Sequence, residues 1–195
     1  DRSFAGTGNS VGGFDGRWRL NKTSYCEYSF FKSFSRALDA AEDNQGHSLG
    51  LRYNFSNRSW GVDVGLFDLS SDFRIDTGYV TRTGITMAPI FVGYSFFPKS
   101  RFFQKVDTFW WSYHLLDKHS ELFETYNHLV LRLGMPRQSE IRFDAILGNE
   151  VFADQRFSLS GWRVRGYTQV LKQLYLEGGY RRSDRIYYDE EAPFQ

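Results

Sequence analysis

Ser112 and His114, two residues apart, are the side chains best suited to nucleophilic chemistry, with His128 following in the next apolar segment. A serine nucleophile needs a base within hydrogen-bond reach and a third group to orient that base. Residues i and i+2 share one face of a strand, so Ser112 and His114 would lie together, as in a lipid hydrolase built on a barrel wall. No motif supplies the third group, and the simpler expectation is that all three are ordinary wall residues, with His128 facing inward. Asp39, Glu42 and Asp43 offer the oxygen ligands that Ca²⁺ prefers, but without the spacing of a known calcium loop. Gly6-Thr7-Gly8 and Gly12-Gly13 do not follow a strand and open a helix, so they form no phosphate cradle. Cys26 is the single cysteine, which excludes an internal disulfide framework and a cysteine-based zinc site. Neither a metal nor a cofactor is expected.

A second set of residues offers electrostatic rather than covalent chemistry. Arg17, Arg52, Asp63, Glu124, Arg132, Arg142, Asp144, Arg163, Arg165, Glu177 and Arg181 alternate with apolar neighbours in segment after segment. Such charges either pair across a narrow interior or line water in a wide one. Both signs are interspersed, so the expectation is structural pairing without strong selectivity for anions or cations. Arg163 and Arg165, with Arg181 nearby, form the densest positive patch, which would suit an anionic glycolipid or a carboxylated solute.

The elements that must position these charges are strands. Ten alternating segments run near 10–20, 23–34, 46–55, 59–68, 84–97, 101–117, 121–135, 139–152, 156–170 and 173–186. In one of them Ile141, Phe143, Ala145 and Leu147 fall on one face, and Arg142, Asp144 and Glu150 on the other. Strands of globular proteins usually have about five or six residues, whereas strands that cross a bilayer need about 9–11. The second connection (35–45) and the fourth (69–83) are long. The first, third, fifth, seventh and ninth are tight, and such alternation is a property of outer-membrane barrels. The sixth, around Lys118-His119-Ser120, is short but falls in the outer set between the longest strands, so that hairpin is expected to project as a ribbon.

The apolar phase places Trp18, Tyr53, Trp60, Tyr94, Trp111, Leu131 and Trp162 toward lipid, the aromatic rings at the headgroup level. Lys105 and Asp107 share a phase with Phe109 and Trp111, which calls for a position beyond the hydrocarbon zone or a bulge. Pro89 falls inside the fifth segment and argues for an edge, a bulge or a later strand start.

Composition agrees with this scheme. Of 195 residues, 24 are Lys or Arg and 23 Asp or Glu, so nothing in the charge points to nucleic acid as a partner. The aromatic share is 18%. A mean hydropathy of −0.48 excludes a helical membrane protein but not a barrel with polar interior and loops. No signal peptide opens the chain, and its last residues, Asp189 to Gln195, do not read as a closing strand. The expectation is one barrel domain, residues 1–195, taken from the interior of a longer polypeptide.

Two stretches carry a resemblance. Asn9-Ser10-Val11-Gly12-Gly13-Phe14-Asp15 opens the first strand, and Asp72-Phe73-Arg74-Ile75-Asp76-Thr77-Gly78-Tyr79-Val80-Thr81-Arg82 fills the fourth connection. They resemble the C-terminal barrel region of a large Bacteroidetes-type outer-membrane family, in which the barrel follows a family-nine-type carbohydrate-binding module. The second motif there runs like Asp-Phe-Asn-Pro-Glu-x-Gly-Phe-x-x-Arg. This chain keeps Asp72, Phe73, Gly78 and Arg82, with an aromatic at Tyr79 and an acid at Asp76, but has Arg74 and Ile75 in place of Asn-Pro. The resemblance implies a barrel longer than this chain and offers no catalytic residues. The carbohydrate-binding module lies outside these residues, so sugar binding is not carried over. Physically, Phe73 and Tyr79 would anchor the loop by burial and Gly78 would permit a positive φ, so the loop would fold back over the lumen.

The expectation from sequence is therefore an all-β, antiparallel, non-enzymatic barrel of the bacterial outer membrane. It would be a passage or a structural member of an envelope complex, in contact with outer-membrane lipid and with other envelope proteins. The alternatives are a soluble ligand-binding β-sandwich or barrel and, third, a membrane-barrel lipid hydrolase.

Overall fold

A computed structural model describes residues 2–4, 7–36, 44–76, 80, 82–152 and 155–186. They form a single antiparallel sheet of eleven strands in which every strand pairs with its neighbours in sequence. The strands are β1 (Arg2–Phe4), β2 (Thr7–Arg19), β3 (Ser24–Arg36), β4 (Asn44–Ser56), β5 (Trp60–Leu69), β6 (Ile85–Phe96), β7 (Lys105–Asp117), β8 (Phe123–Met135), β9 (Ser139–Phe152), β10 (Gln155–Leu171) and β11 (Leu174–Ser183). There is no helix among the described residues. The sheet is not closed: β1 and β11 stand at its two ends and do not pair with each other.

Turn chemistry sets the short connections. Asn21 accepts from the Thr23 amide and hydroxyl, each at 2.8 Å, and Asn57 accepts from the Ser59 and Trp60 amides at 2.9 and 2.7 Å. Each of these Asx turns reverses the chain without help from distant residues. Arg137 and Gln138 take left-handed φ values of 58° and 49° in the turn after β8.

Three expectations are corrected. The tight fifth connection is longer: β7 starts at Lys105, and residues 97–104 form the link. There Ser100 caps the turn by accepting the Phe102 amide at 3.1 Å. No bulge interrupts β7, because its register with β8 runs unbroken from Lys105 to Leu116. Pro89 is neither at an edge nor at a bulge nor before the strand start. It lies within β6, between β5 and β7, and pairs with Tyr113 on the β7 side. On the β5 side the ladder breaks between Val64–Ile90 and Phe67–Met87, which is where a proline without an N–H can be tolerated.

Candidate functional site: the polar face and the segment lying on it

The cross-strand register assigns every side chain to one of two faces. One row runs Arg17, Glu27, Arg52 on β2–β4, and a neighbouring row runs Asn54, Asp63, Phe91, Trp111, His128, Ile146, Gly161 on β4–β10. Period-two alternation along each strand then puts Glu124, Arg132, Arg142, Asp144, Arg163, Arg165, Glu177 and Arg181 on that face too. All eleven charges singled out from the sequence thus share one side of the sheet. The opposite row runs Trp18, Cys26, Tyr53, Val64, Ile90, Ser112, Asn127, Leu147 and Ser160. It carries Trp60, Tyr94, Leu131 and Trp162 along with Trp18 and Tyr53.

Trp111 is on the other side from these. It pairs with Phe91 and His128 and stacks edge-on against Tyr126, with ring centroids 5.2 Å apart. The assignment of Trp111, and of Phe109 in the same phase, to the apolar face is therefore corrected. This removes the conflict with Lys105 and Asp107, because the charged residues are in phase with the rest of the polar face and the aromatic rings are the exception. Phe91, Phe109, Trp111, Tyr113 and Tyr126 make an aromatic patch amid the charges, in which Tyr113 and Tyr126 stack at 5.5 Å.

Burial is inverted relative to a water-soluble sheet. Asp144 is 4% exposed and Glu124 3%, whereas Trp18 is 67% exposed and Phe14 61%. Long side chains and neighbouring rings cover the carboxylates. Asp144 accepts from Arg142 (2.8 Å) and Arg163 (3.2 Å) and pairs with His128 Nε2 (2.8 Å). Asp107 accepts from Arg132 (2.6 Å), Lys105 (2.9 Å) and the Ser95 hydroxyl (2.5 Å). Arg52 binds Asp63 at 2.8 Å, and Arg17 binds Glu27. Opposite charges placed across strands, or two residues apart on one face of the same strand, are what let these groups be removed from water.

The β5–β6 connection lies against this polar face. Phe73 is 5% exposed. Arg74 closes the contact through its backbone, its amide donating to Ser33 Oγ (3.1 Å) and its carbonyl accepting from Asn9 Nδ2 (3.0 Å). Ser33 is fully buried beneath. Gly46 makes the approach possible, since a Cβ there would overlap the backbone of Asp72 and Phe73. Asp72 itself is exposed. Further along, Arg82 donates to Asp117 (2.6 Å) and Glu124 (2.7 Å). Burial alone would lower the Arg82 pKa, but these two carboxylates outweigh it and hold it above the ordinary value. Gly78 and Tyr79 lie outside the described residues, as do Asp39, Glu42 and Asp43.

The apolar face has a polar boundary at the same end. His47 and Thr86 bind Asp68 at 2.9 and 2.5 Å, and Lys118 pairs with it at 2.7 Å. These four residues cluster where β4 and β6 begin and β5 and β7 end. At the opposite end, Trp60 and Tyr94 pack with ring centroids 4.6 Å apart, and Tyr53 on β4 and Trp18 on β2 lie at the same end of the face. Beyond β11, Asp184 accepts from the Ser160 amide and hydroxyl, which holds its carboxyl below the usual range.

Ser112 and His114 share the apolar face, 3.4 Å apart, but the serine proton is engaged elsewhere. Ser112 Oγ donates to Asn127 Oδ1 at 3.0 Å, and the Trp110 indole donates to the same oxygen at 3.1 Å. Asn127 therefore satisfies a fully buried hydroxyl instead of orienting a histidine base. The sequence reading missed the contacts of Asn127, Asn9, Ser33 and Asp117, because no local spacing marks a polar residue whose partner lies on another strand or in the β5–β6 connection. Compared with protein-family models, with curated proteins and with solved structures, the chain has no match.

Proposed function

We propose that this chain is the wall of a non-enzymatic outer-membrane β-barrel, part of a larger barrel, which serves as a passage or as a structural member of an envelope complex. The observation that carries the reading is the inverted burial: carboxylates are covered on one face while a continuous apolar face stays open. In water, an uncovered apolar surface this large is unfavourable at roughly 25 cal/mol per Å², and hydrocarbon removes that cost. Strands β2–β4 and β6–β9 have 12–14 residues, enough for a tilted crossing. The Trp60–Tyr94 pair at one end of the apolar face and the Asp68 cluster at the other fit the two interfacial levels of a bilayer. Contact with outer-membrane lipid, and with other envelope proteins through the exposed rings, belongs to the same reading. So does membership of the Bacteroidetes-type family that the Asp72–Arg82 stretch resembles.

In this arrangement the segment around Phe73 sits within the lumen and narrows it over β2–β4. The test is fractionation of the native full-length protein with urea extraction, followed by comparison of boiled and unboiled samples on a gel. Retention in the outer membrane with a heat-dependent mobility shift is expected. Release into the soluble fraction without a shift would overturn the reading and make the open face one that a further segment or partner covers in water.

A further inference from the structure

Among the described residues, the ion pairs on the β8–β11 part of the polar face leave two arginines without one. Arg132, Arg142 and Arg165 stand directly opposite one another across β8–β10, and Arg163 stands opposite Arg181 across β10–β11. Like charges placed directly opposite are destabilising unless something of the other sign lies between them. Arg132 pairs with Asp107, which it shares with Lys105, and Arg142 and Arg163 share Asp144. Neither the Arg165 nor the Arg181 side chain makes an ion pair or a hydrogen bond among the described residues. The Arg165 Nε atom is buried with its donor unused, which in a folded protein calls for an acceptor. Glu140 and Glu177 influence the region electrostatically, yet neither pairs with these two guanidinium groups. Gly179 lies directly across from Arg165, which packs closely over it, and two residues before Arg181, so the two arginines are diagonal neighbours on one face.

We propose that Arg165 and Arg181, diagonal neighbours across β10–β11, form a binding site for a small soluble oxyanion, a carboxylate or a phosphate. Guanidinium forks match both groups through paired N–H donors, which is the chemistry that lysine could not supply as well. As the solute class of a passage, the site rests on the barrel reading; as an anion site on this face, it is measured separately.

The experiment is calorimetric titration of the folded full-length protein, in detergent micelles at low salt, with citrate and with inorganic phosphate. Saturable binding is expected, weakened at least tenfold in Arg165→Gln and in Arg181→Gln and unchanged in Arg17→Gln, whose native charge is already paired with Glu27. The ratio of the citrate and phosphate affinities distinguishes the two ligand types. Arg181 is exposed, so its variant preserves the test if replacement of Arg165 impairs folding. No saturable heat with either anion, or equal weakening in all three variants, would overturn the site while leaving the fractionation result untouched. A soluble, unshifted protein that still binds would overturn the barrel and keep the site.

Discussion

Gly46 and Phe73 meet backbone against backbone, one in β4 and the other in the connection that follows β5. The missing side chain at Gly46 is what allows the Phe73 segment to lie on the polar face. Gly46→Val should lift that segment away and cost about 1–3 kcal/mol, the usual range for overpacking. Limited trypsin digestion gives the local readout. Cleavage after Arg74 should become fast in Gly46→Val and remain slow in Gly12→Val, where a Cβ meets nothing within 4 Å.

Arg82 is the far fastening of the same connection. Its removal would leave Glu124, 3% exposed, without its cation, although the Val151 amide still donates to it at 3.2 Å. Arg82→Ala should therefore destabilise by about 1–3 kcal/mol, the penalty for a buried polar group left short of a partner. Arg82→Lys should recover part of this, since one ammonium cannot reach both carboxylates in the same fork. Denaturant midpoints of the two variants test the ordering, and equal midpoints would show that the double contact contributes nothing.

Trp111 and Trp162 separate the two faces spectroscopically. In variants that keep only one tryptophan, reconstituted into vesicles with brominated acyl chains, Trp162 emission should be strongly quenched and Trp111 emission little changed. Quenching of both to the same extent would contradict the register-based assignment of Trp111 to the polar face.

Leu131, half-open on the apolar face, tests the solvent of that face directly. Leu131→Arg should cost about 2–4 kcal/mol if the position lies near the bilayer midplane. Chemical denaturation in vesicles measures this. A neutral result would place Leu131 in contact with water or a polar partner.

Ser112→Ala should lower stability by about 1 kcal/mol, the net worth of a typical hydrogen bond, because Asn127 loses one of its two donors. It should leave no lipid-hydrolysing activity to lose. An ester-hydrolase assay of the wild-type and Ser112→Ala proteins side by side decides this. Turnover abolished by the substitution would restore the nucleophile that the Asn127 contact argues against.

The fold was legible because alternation is a local property. Strand existence, the meander order and ten of the eleven strands follow from period-two runs divided by Asn, Pro and Lys turns, and only the short β1 and the start of β7 were not visible. Face assignment was legible wherever charge and hydrophobicity agreed, as at Arg142 and Phe143. It failed at Trp111, because a ring was taken as a sign of the apolar side, whereas here a patch of rings packs among ion pairs and only the register against β6 and β8 reveals it. Pro89 failed for a related reason. A strand's tolerance for proline depends on which neighbour its missing N–H would face, and that is a property of the pair. The Phe73 segment was foreseen as folding back, but its fastenings at Ser33 and Asn9 are tertiary contacts with no trace in local spacing.

The strict pairing of each strand with the next in sequence has a kinetic meaning. Every long-range contact in the sheet is closed by a connection no longer than the one between β5 and β6, so no strand must wait for a distant partner before its backbone groups are satisfied. The entropy of loop closure is met in small, similar steps. A chain organised in this way can be assembled hairpin by hairpin, each new strand adding to a growing edge.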